Sequence, residues 1–295
     1  MRPSLHTCLI NYVIGFCKNS ETWIHPLEEL GYEVRLIEQS IRLMESKNDS
    51  VKPDVVAVSN KLLHSLVFDC KSGKNIETDQ AARYKELTDA DLLRWVGDKV
   101  YATKGFSHEI CYVCIEDHRN SVTSNMTDFP VLSISKEKVS KTGSFAKQAL
   151  ESKFKADIPL DSRMVEPLSY YPFSSTEDRS VIIPYVMRAI ITLLIDKKRR
   201  GAKIFDHSTY QNDEIMTTIH KMWNVISQEE QKALHQITQE ILDHLRVQYP
   251  KFHEQILEIQ SSSSDSKVAI SNLVETCEQI AKEEQGKMRL DQMGI

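Results

Sequence analysis

The sequence has no charge excess large enough to announce a polyanionic or polycationic partner. Its 37 Lys and Arg stand against 42 Asp and Glu, for a net charge of -5. A chain of this balance engages nucleic acid only by gathering its basic residues into a patch or groove. No apolar run is long enough to span a bilayer. The longest, VIIPYVMRAIITLLI at 181–195, is interrupted by Pro184 and Arg188 and falls short of the ~18–20 residues required. It is expected as a buried helix, with no membrane partner. The six cysteines are scattered at 8, 17, 70, 111, 114 and 277. In a chain of 295 residues that excludes a disulfide-stapled miniprotein and points to a reducing, cytoplasmic compartment. The apolar segment CLINYVIGFC (8–17) is broken by Asn11 and Tyr12 and lacks a small-residue cleavage site, so it is not read as a signal peptide. No internal repeat is detectable.

What is present is a globular composition, 41% hydrophobic and 27% charged, in a chain long enough for one large or two ordinary domains. The first half alternates. Residues 5–17 read as a helix, and Ser20–Glu21 opens a short helical stretch ending at Gly31. The segment 34–44 is open between helix and strand. Pro53 precedes DVVAVS (54–59), a β-branched run expected as a buried strand, and LHSLVFDCK (63–71) follows as a second. Thr78 caps a helix through Leu87. Thr88 with Asp91 forms a capping signal for another that closes at Gly97. EICYVCIE (109–116) and FPVLSIS (129–135) are further strands. Past 150 the texture is helical, with an apolar stripe of Leu234, Ile237, Ile241 and Leu245. The expected organisation is an α/β core over 1–150 built on a small mixed central sheet, a helical accessory domain over 151–260, and a linker with a C-terminal helix or polar tail over 261–295.

The chemistry concentrates in PDVVAVSNKLLHSLVFDCKSGKNIETDQAARY, residues 53–84. The period of two puts Asp69 and Lys71 on one strand face and Leu66, Phe68 and Cys70 on the other. A short turn joins this strand to the preceding one, so the pair is expected antiparallel, with Asp54 close by. Asp54, Asp69 and the Cys70 carbonyl make an oxygen-rich cradle for Mg²⁺ or Mn²⁺. Lys71 would orient a metal-bound water and stabilise charge on a scissile phosphate. Gln80 and Tyr84, four apart, share one helix face.

The ordered set P-D, D-x-K and Q-x-x-x-Y resembles the PD-(D/E)xK nuclease superfamily, in particular its RecB-like branch, over roughly residues 15–120. The resemblance implies a restriction-endonuclease-like core and a metal-dependent nuclease. Asp54 and Asp69 would hold the metal, Lys71 would be catalytic, and Gln80 and Tyr84 would support the site. It implies nucleic acid as substrate, DNA in the first place, and a role in restriction, anti-phage defence or repair. Such enzymes add a glutamate from the helix before the first strand. Glu21 is favoured here over Glu28 and Glu29, and His25 is a candidate for a histidine found in some RecB-like enzymes.

The run KKRRGAK offers Lys197, Lys198, Arg199, Arg200 and Lys203 as a phosphate-contacting patch, or as a solvated helix end that complements the dipole. Residues 206–249 suit either a helix-turn-helix or winged module, or a surface for a partner subunit or homo-oligomer. Cys111 and Cys114 lie three apart in a strand pattern, facing opposite ways, and are read as structural. The competing functional class is a non-catalytic nucleic-acid-binding or assembly subunit on a nuclease scaffold.

Overall fold

A computed structural model describes residues 2–44, 49–73, 78–199, 212–261 and 267–293. The chain divides into two compact units: Ser4–Tyr171 with Asn224–Glu230, and Met1–Pro3 with Pro172–Trp223 and Gln231–Ile295.

The first unit opens with helix α1 (Leu5–Phe16), capped by the Ser4 side chain, which accepts from Thr7 N. A 3-10 turn at Glu28–Leu30 ends at Gly31, whose φ of 78° lets the chain turn sharply into β1 (Tyr32–Ile37). The expected helix from Ser20 to Gly31 is therefore only this turn, because Pro26 sits within it. The open segment 34–44 resolves as β1 and the short β2 (Ile41–Arg42), which pairs with β3 (Ser50–Val51). Then come β4 (Val55–Ser59) and β5 (His64–Lys71), antiparallel as their short turn requires. Helices α2 (Thr78–Glu86) and α3 (Asp89–Val96) lead to β6 (Ser107–Ile115). After α4 (Arg119–Asn125) the chain continues through β7 (Val131–Ile134), β8 (Lys138–Thr142), α5 (Gln148–Lys153) and β9 (Ile158–Pro159).

The result is a seven-stranded mixed sheet in the order β1-β4-β5-β6-β7-β8-β9. The β5–β6 and β6–β7 pairs are parallel and the others antiparallel. One face carries a core in which Tyr84, Leu92, Val96 and Val122 of the helices pack on Val56, Val67, Tyr112 and Val131 of the strands. Helix α1 packs on β4, β5 and β6 and is buried from Thr7 to Phe16. Strands β4 and β5 are thus covered on both faces, which explains their continuous apolar runs.

This unit extends past the expected boundary at 150. Strand β9 pairs with β8, and Asn11 holds the backbone at 170–171. Its amide donates to Tyr171 O at 2.6 Å, and its Oδ1 accepts from Tyr170 N and Tyr171 N. The polar residue that interrupts the apolar start of the chain is a buried fastener.

The second unit is helical: α6 (Arg179–Arg199), α7 (Asn212–Ile219), α9 (Pro250–Ser261) and α10 (Lys267–Met293), with most of α8 (Gln228–Gln248). Leu234, Ile241 and Leu245 are buried as the stripe predicts, but Ile237 is only half-buried and Thr238 takes the interior position beside it. Of the two expectations for the C-terminal segment, helix or polar tail, the described residues form the helix. Leu273, Cys277 and Ile280 on one face of α10 are buried, and the helix packs on α6 and α9. The start of the expected 261–295 linker and tail lies, from 262 to 266, outside the described residues, as does the first part of 206–249. Among the described residues no helix is long and apolar enough to cross a membrane.

Candidate metal centre

Antiparallel pairing brings the end of β1, the start of β4 and the end of β5 to the same end of the sheet. The ladder continues one step past the strands: Glu38 N donates to Asp54 O and Asp54 N to Phe68 O, both at 3.0 Å. Where a sheet ends, side chains from its two faces and from a covering helix can meet. Here Glu38 and Asp54 meet His6 from the first turn of α1, and Asp69, close to Asp54, pairs with Lys71.

Asp54 is 7% exposed and Asp69 3%. Asp54 Oδ2 accepts from Cys70 N at 2.5 Å, and its Oδ1 lies 3.4 Å from His6 Nε2. His6 Nε2 is also 3.5 Å from Glu38 Oε1, and Lys52 Nζ meets the other Glu38 oxygen at 2.9 Å. Lys71 Nζ donates to Asp69 Oδ1 and to Gln80 Oε1, each at 2.8 Å. The i,i+4 spacing places Tyr84 one turn beyond Gln80, buried, with its ring edge-to-face against Tyr112 at 6.3 Å.

The electrostatics follow from burial. Desolvation, with the neighbouring Asp54 charge added, pushes Asp69 up to about 7 against the opposing pull of Lys71. Burial works against charging His6, but its hydrogen bonds and charge interactions with Asp54 and Glu38 outweigh that and push it up to about 11. Burial likewise opposes ionisation of Glu38, yet His6 and Lys52 hold it below the usual carboxylate range. Burial drives the Cys70 thiol and the Tyr84 phenol well above their ordinary values, so both stay protonated.

Three observations fit a divalent cation here. His6, Glu38 and Asp54 each offer an atom that can ligate, His6 once a cation displaces the proton from its Nε2, all within 4.8 Å of one another. Among the described residues Asp69 Oδ2 is buried with no hydrogen-bond partner, an arrangement costly for a carboxylate unless something else satisfies it. Glu38 adopts φ of 55°, a left-handed conformation that a non-glycine residue holds at a cost of about 1–3 kcal/mol and that concentrates at functional sites. Two carboxylates with one imidazole suit Mn²⁺ at least as well as Mg²⁺.

The structure gathers Asp54, Asp69, Lys71, Gln80 and Tyr84 as the motif spacing anticipates. It changes the rest of the expected ligand set. Glu21 is exposed in the bend after α1, Glu29 pairs with Lys153, and the His25 ring contacts the Trp23 carbonyl at 3.3 Å. Glu38 and His6 stand in the cluster instead. The Cys70 carbonyl, expected to face the cation, is engaged by His6 Nδ1 at 3.2 Å. Glu38 gave no motif signal, since it follows an apolar strand as any turn residue would. His6 had a faint one, as a titratable side chain on the first turn of an otherwise apolar helix. In the basic run, Lys197 pairs with Glu214 at 2.5 Å and Arg199 is exposed at the end of α6. The Lys198 side chain, Arg200 and Lys203 lie outside the described residues.

Fold and site together define a mixed α/β unit with a histidine–carboxylate cluster and a lysine at one end of its sheet, followed by a helical region. The chain belongs to the MJECL32 domain family, whose model matches residues 5–171. A second family model, for a domain of unknown function (DUF8601), matches residues 175–286. The seam between the two matches coincides with the change of unit after Tyr171. The chain is similar to the uncharacterized protein MJECL32 of Methanocaldococcus jannaschii, at 28% identity over 167 residues. The match takes in 51% of this chain and 37% of that protein's length. No solved structure matches the chain.

Proposed function

We propose that the unit built on Ser4–Tyr171 is a divalent-cation-dependent nuclease with a restriction-endonuclease-like core, hydrolysing phosphodiester bonds in DNA. The observation that carries this reading is the placement of Lys71, 2.8 Å from both Asp69 and Gln80, beside the His6–Glu38–Asp54 donor cluster. His6, Glu38 and Asp54 would hold Mg²⁺ or Mn²⁺, with Asp69 adding its unpartnered oxygen. A bound cation supplies Lewis acidity and lowers the pKa of water at the site. Lys71 then orients the attacking water and stabilises the charge that develops on the phosphate oxygens. Gln80 fixes the lysine and Tyr84 closes the apolar wall behind it. A place in defence, restriction or repair belongs to the resemblance rather than to any residue.

The test is cleavage of supercoiled plasmid and linear DNA with Mg²⁺ or Mn²⁺, comparing the wild type with Lys71→Ala. Cation-dependent nicking or degradation that disappears in the variant supports the reading, and the preferred substrate separates endonuclease from exonuclease. A folded wild type that binds Mn²⁺ and DNA without cutting would replace it with a binding subunit on a nuclease scaffold.

A further inference from the structure

Lys71 has a third contact, contributed by a residue outside the P-D, D-x-K and Q-x-x-x-Y set. Strand β6 lies parallel beside β5, with Tyr112 in register with Asp69. The Tyr112 side chain therefore stands on the same face as Asp69 and Lys71. Lys71 Nζ is 5.6 Å from the Tyr112 ring centroid, inside the ~6 Å reach of a cation–π contact. The Lys71 side chain is only 13% exposed, which strengthens such a contact relative to one in open water. The ring is itself held, edge-to-face against Tyr84 at 6.3 Å and against Phe129 at 5.6 Å.

We propose that Tyr112 is a positioning residue for Lys71, its ring fixing the ammonium where Asp69 and Gln80 alone would leave it free to swing. The proposal rests on Lys71 being the hydrolytic lysine. Anchors from β5, α2 and β6 then converge on one ammonium. The Tyr112 hydroxyl takes no part. It is fully buried and finds no hydrogen-bond partner among the described residues, and burial together with the Asp69 charge keeps it protonated. Phenylalanine should serve equally well, and it removes an unsatisfied polar group whose burial is unfavourable.

The experiment compares Tyr112→Phe and Tyr112→Leu in the full chain, with Tyr112→Met as a second non-aromatic variant of closer volume should the leucine variant fail to fold. DNA cleavage is measured with Mn²⁺, alongside thermal unfolding with and without Mn²⁺. The non-aromatic variants are expected to lose about tenfold or more in kcat with KM within about threefold, the signature of a lost transition-state contact. Their Mn²⁺-dependent rise in Tm should persist, because no metal donor is touched. Tyr112→Phe should restore kcat. NMR of the Lys71 ε-methylene gives a readout independent of cleavage: its upfield ring-current shift should survive in Tyr112→Phe and vanish in the non-aromatic variants. Unchanged kcat without the ring would overturn the proposal, as would a phenylalanine variant as slow as the leucine one. If the wild type does not cut DNA, the nuclease reading fails by itself. The NMR comparison still decides whether the ring holds Lys71, and an unshifted wild-type resonance would sink that idea alone.

Discussion

His6 Nδ1 lies 3.2 Å from the carbonyl oxygen of Cys70, and since a carbonyl only accepts, this nitrogen carries a proton. The opposite nitrogen, Nε2, is thereby turned toward Glu38 and Asp54. Fixing a ligating histidine through its far nitrogen is how protein metal sites orient the ring. His6→Ala is accordingly expected to weaken Mn²⁺ binding about tenfold or more, by analogy with the loss of other metal-site partners. Calorimetric titration and the Mn²⁺-induced rise in Tm both measure it. Equal Mn²⁺ affinity in the variant would remove His6 from the ligand set.

If the proposed nuclease reading holds, Asp69 separates stability from activity. Its carboxyl is buried beside Asp54, with one oxygen unpartnered among the described residues. Asp69→Asn keeps the shape and discards the buried charge. In the absence of divalent cations the variant should melt higher, by about 2–4 °C for each kcal/mol gained, and it should not cleave DNA. A lower Tm would mean that the Asp69–Lys71 pair outweighs the cost of burying the charge.

In the helical unit, His220 is buried between Phe173, at 4.7 Å, and Trp223, at 5.9 Å between ring centroids. Burial holds its pKa down at about 3, against an ordinary 6.5. Between those values the unfolded chain binds the proton that the folded one refuses. Stability therefore falls as pH drops through 6.5 toward 3, by up to about 1.4 kcal/mol per pH unit from this group. Urea unfolding at pH 7.5 and 5 should show a smaller loss for His220→Phe than for the wild type. An identical loss in both would show that His220 is not responsible.

Asp91 serves two segments at once. Its Oδ2 accepts from Thr88 N and Thr88 Oγ1 at the start of α3, and its Oδ1 accepts from Met44 N at 2.9 Å. Thr88→Ala removes part of a cap and should cost about 1 kcal/mol. Asp91→Ala strands the backbone donors of two segments and should cost more, about 1–3 kcal/mol. Urea denaturation of both variants orders them, and the reverse order would show that the Met44 tie contributes nothing.

The cap at Thr88–Asp91 was legible because its partners lie three residues apart, and local spacing is what a sequence displays. For the same reason β4 and β5, their antiparallel pairing, and the order of Asp54, Asp69, Lys71, Gln80 and Tyr84 could all be read along the chain. Each depends on periodicity, on a short turn, or on one helical turn. The Met44 tie to Asp91, the Asn11 fastening of residues 170–171 and the Tyr112 ring under Lys71 were not legible. Each joins residues that only strand order or helix docking brings together. The candidate metal centre divides along the same line. Asp54 and Asp69 are announced by their strands, whereas Glu38 and His6 arrive by way of the β1–β4 ladder and the packing of α1 on the sheet. The sequence alone determined which residue types could do chemistry and where the strands carrying them begin and end. The tertiary structure decided which of them share a site, because a sheet end gathers whatever its neighbouring strands and covering helix deliver there, whatever their distance along the chain.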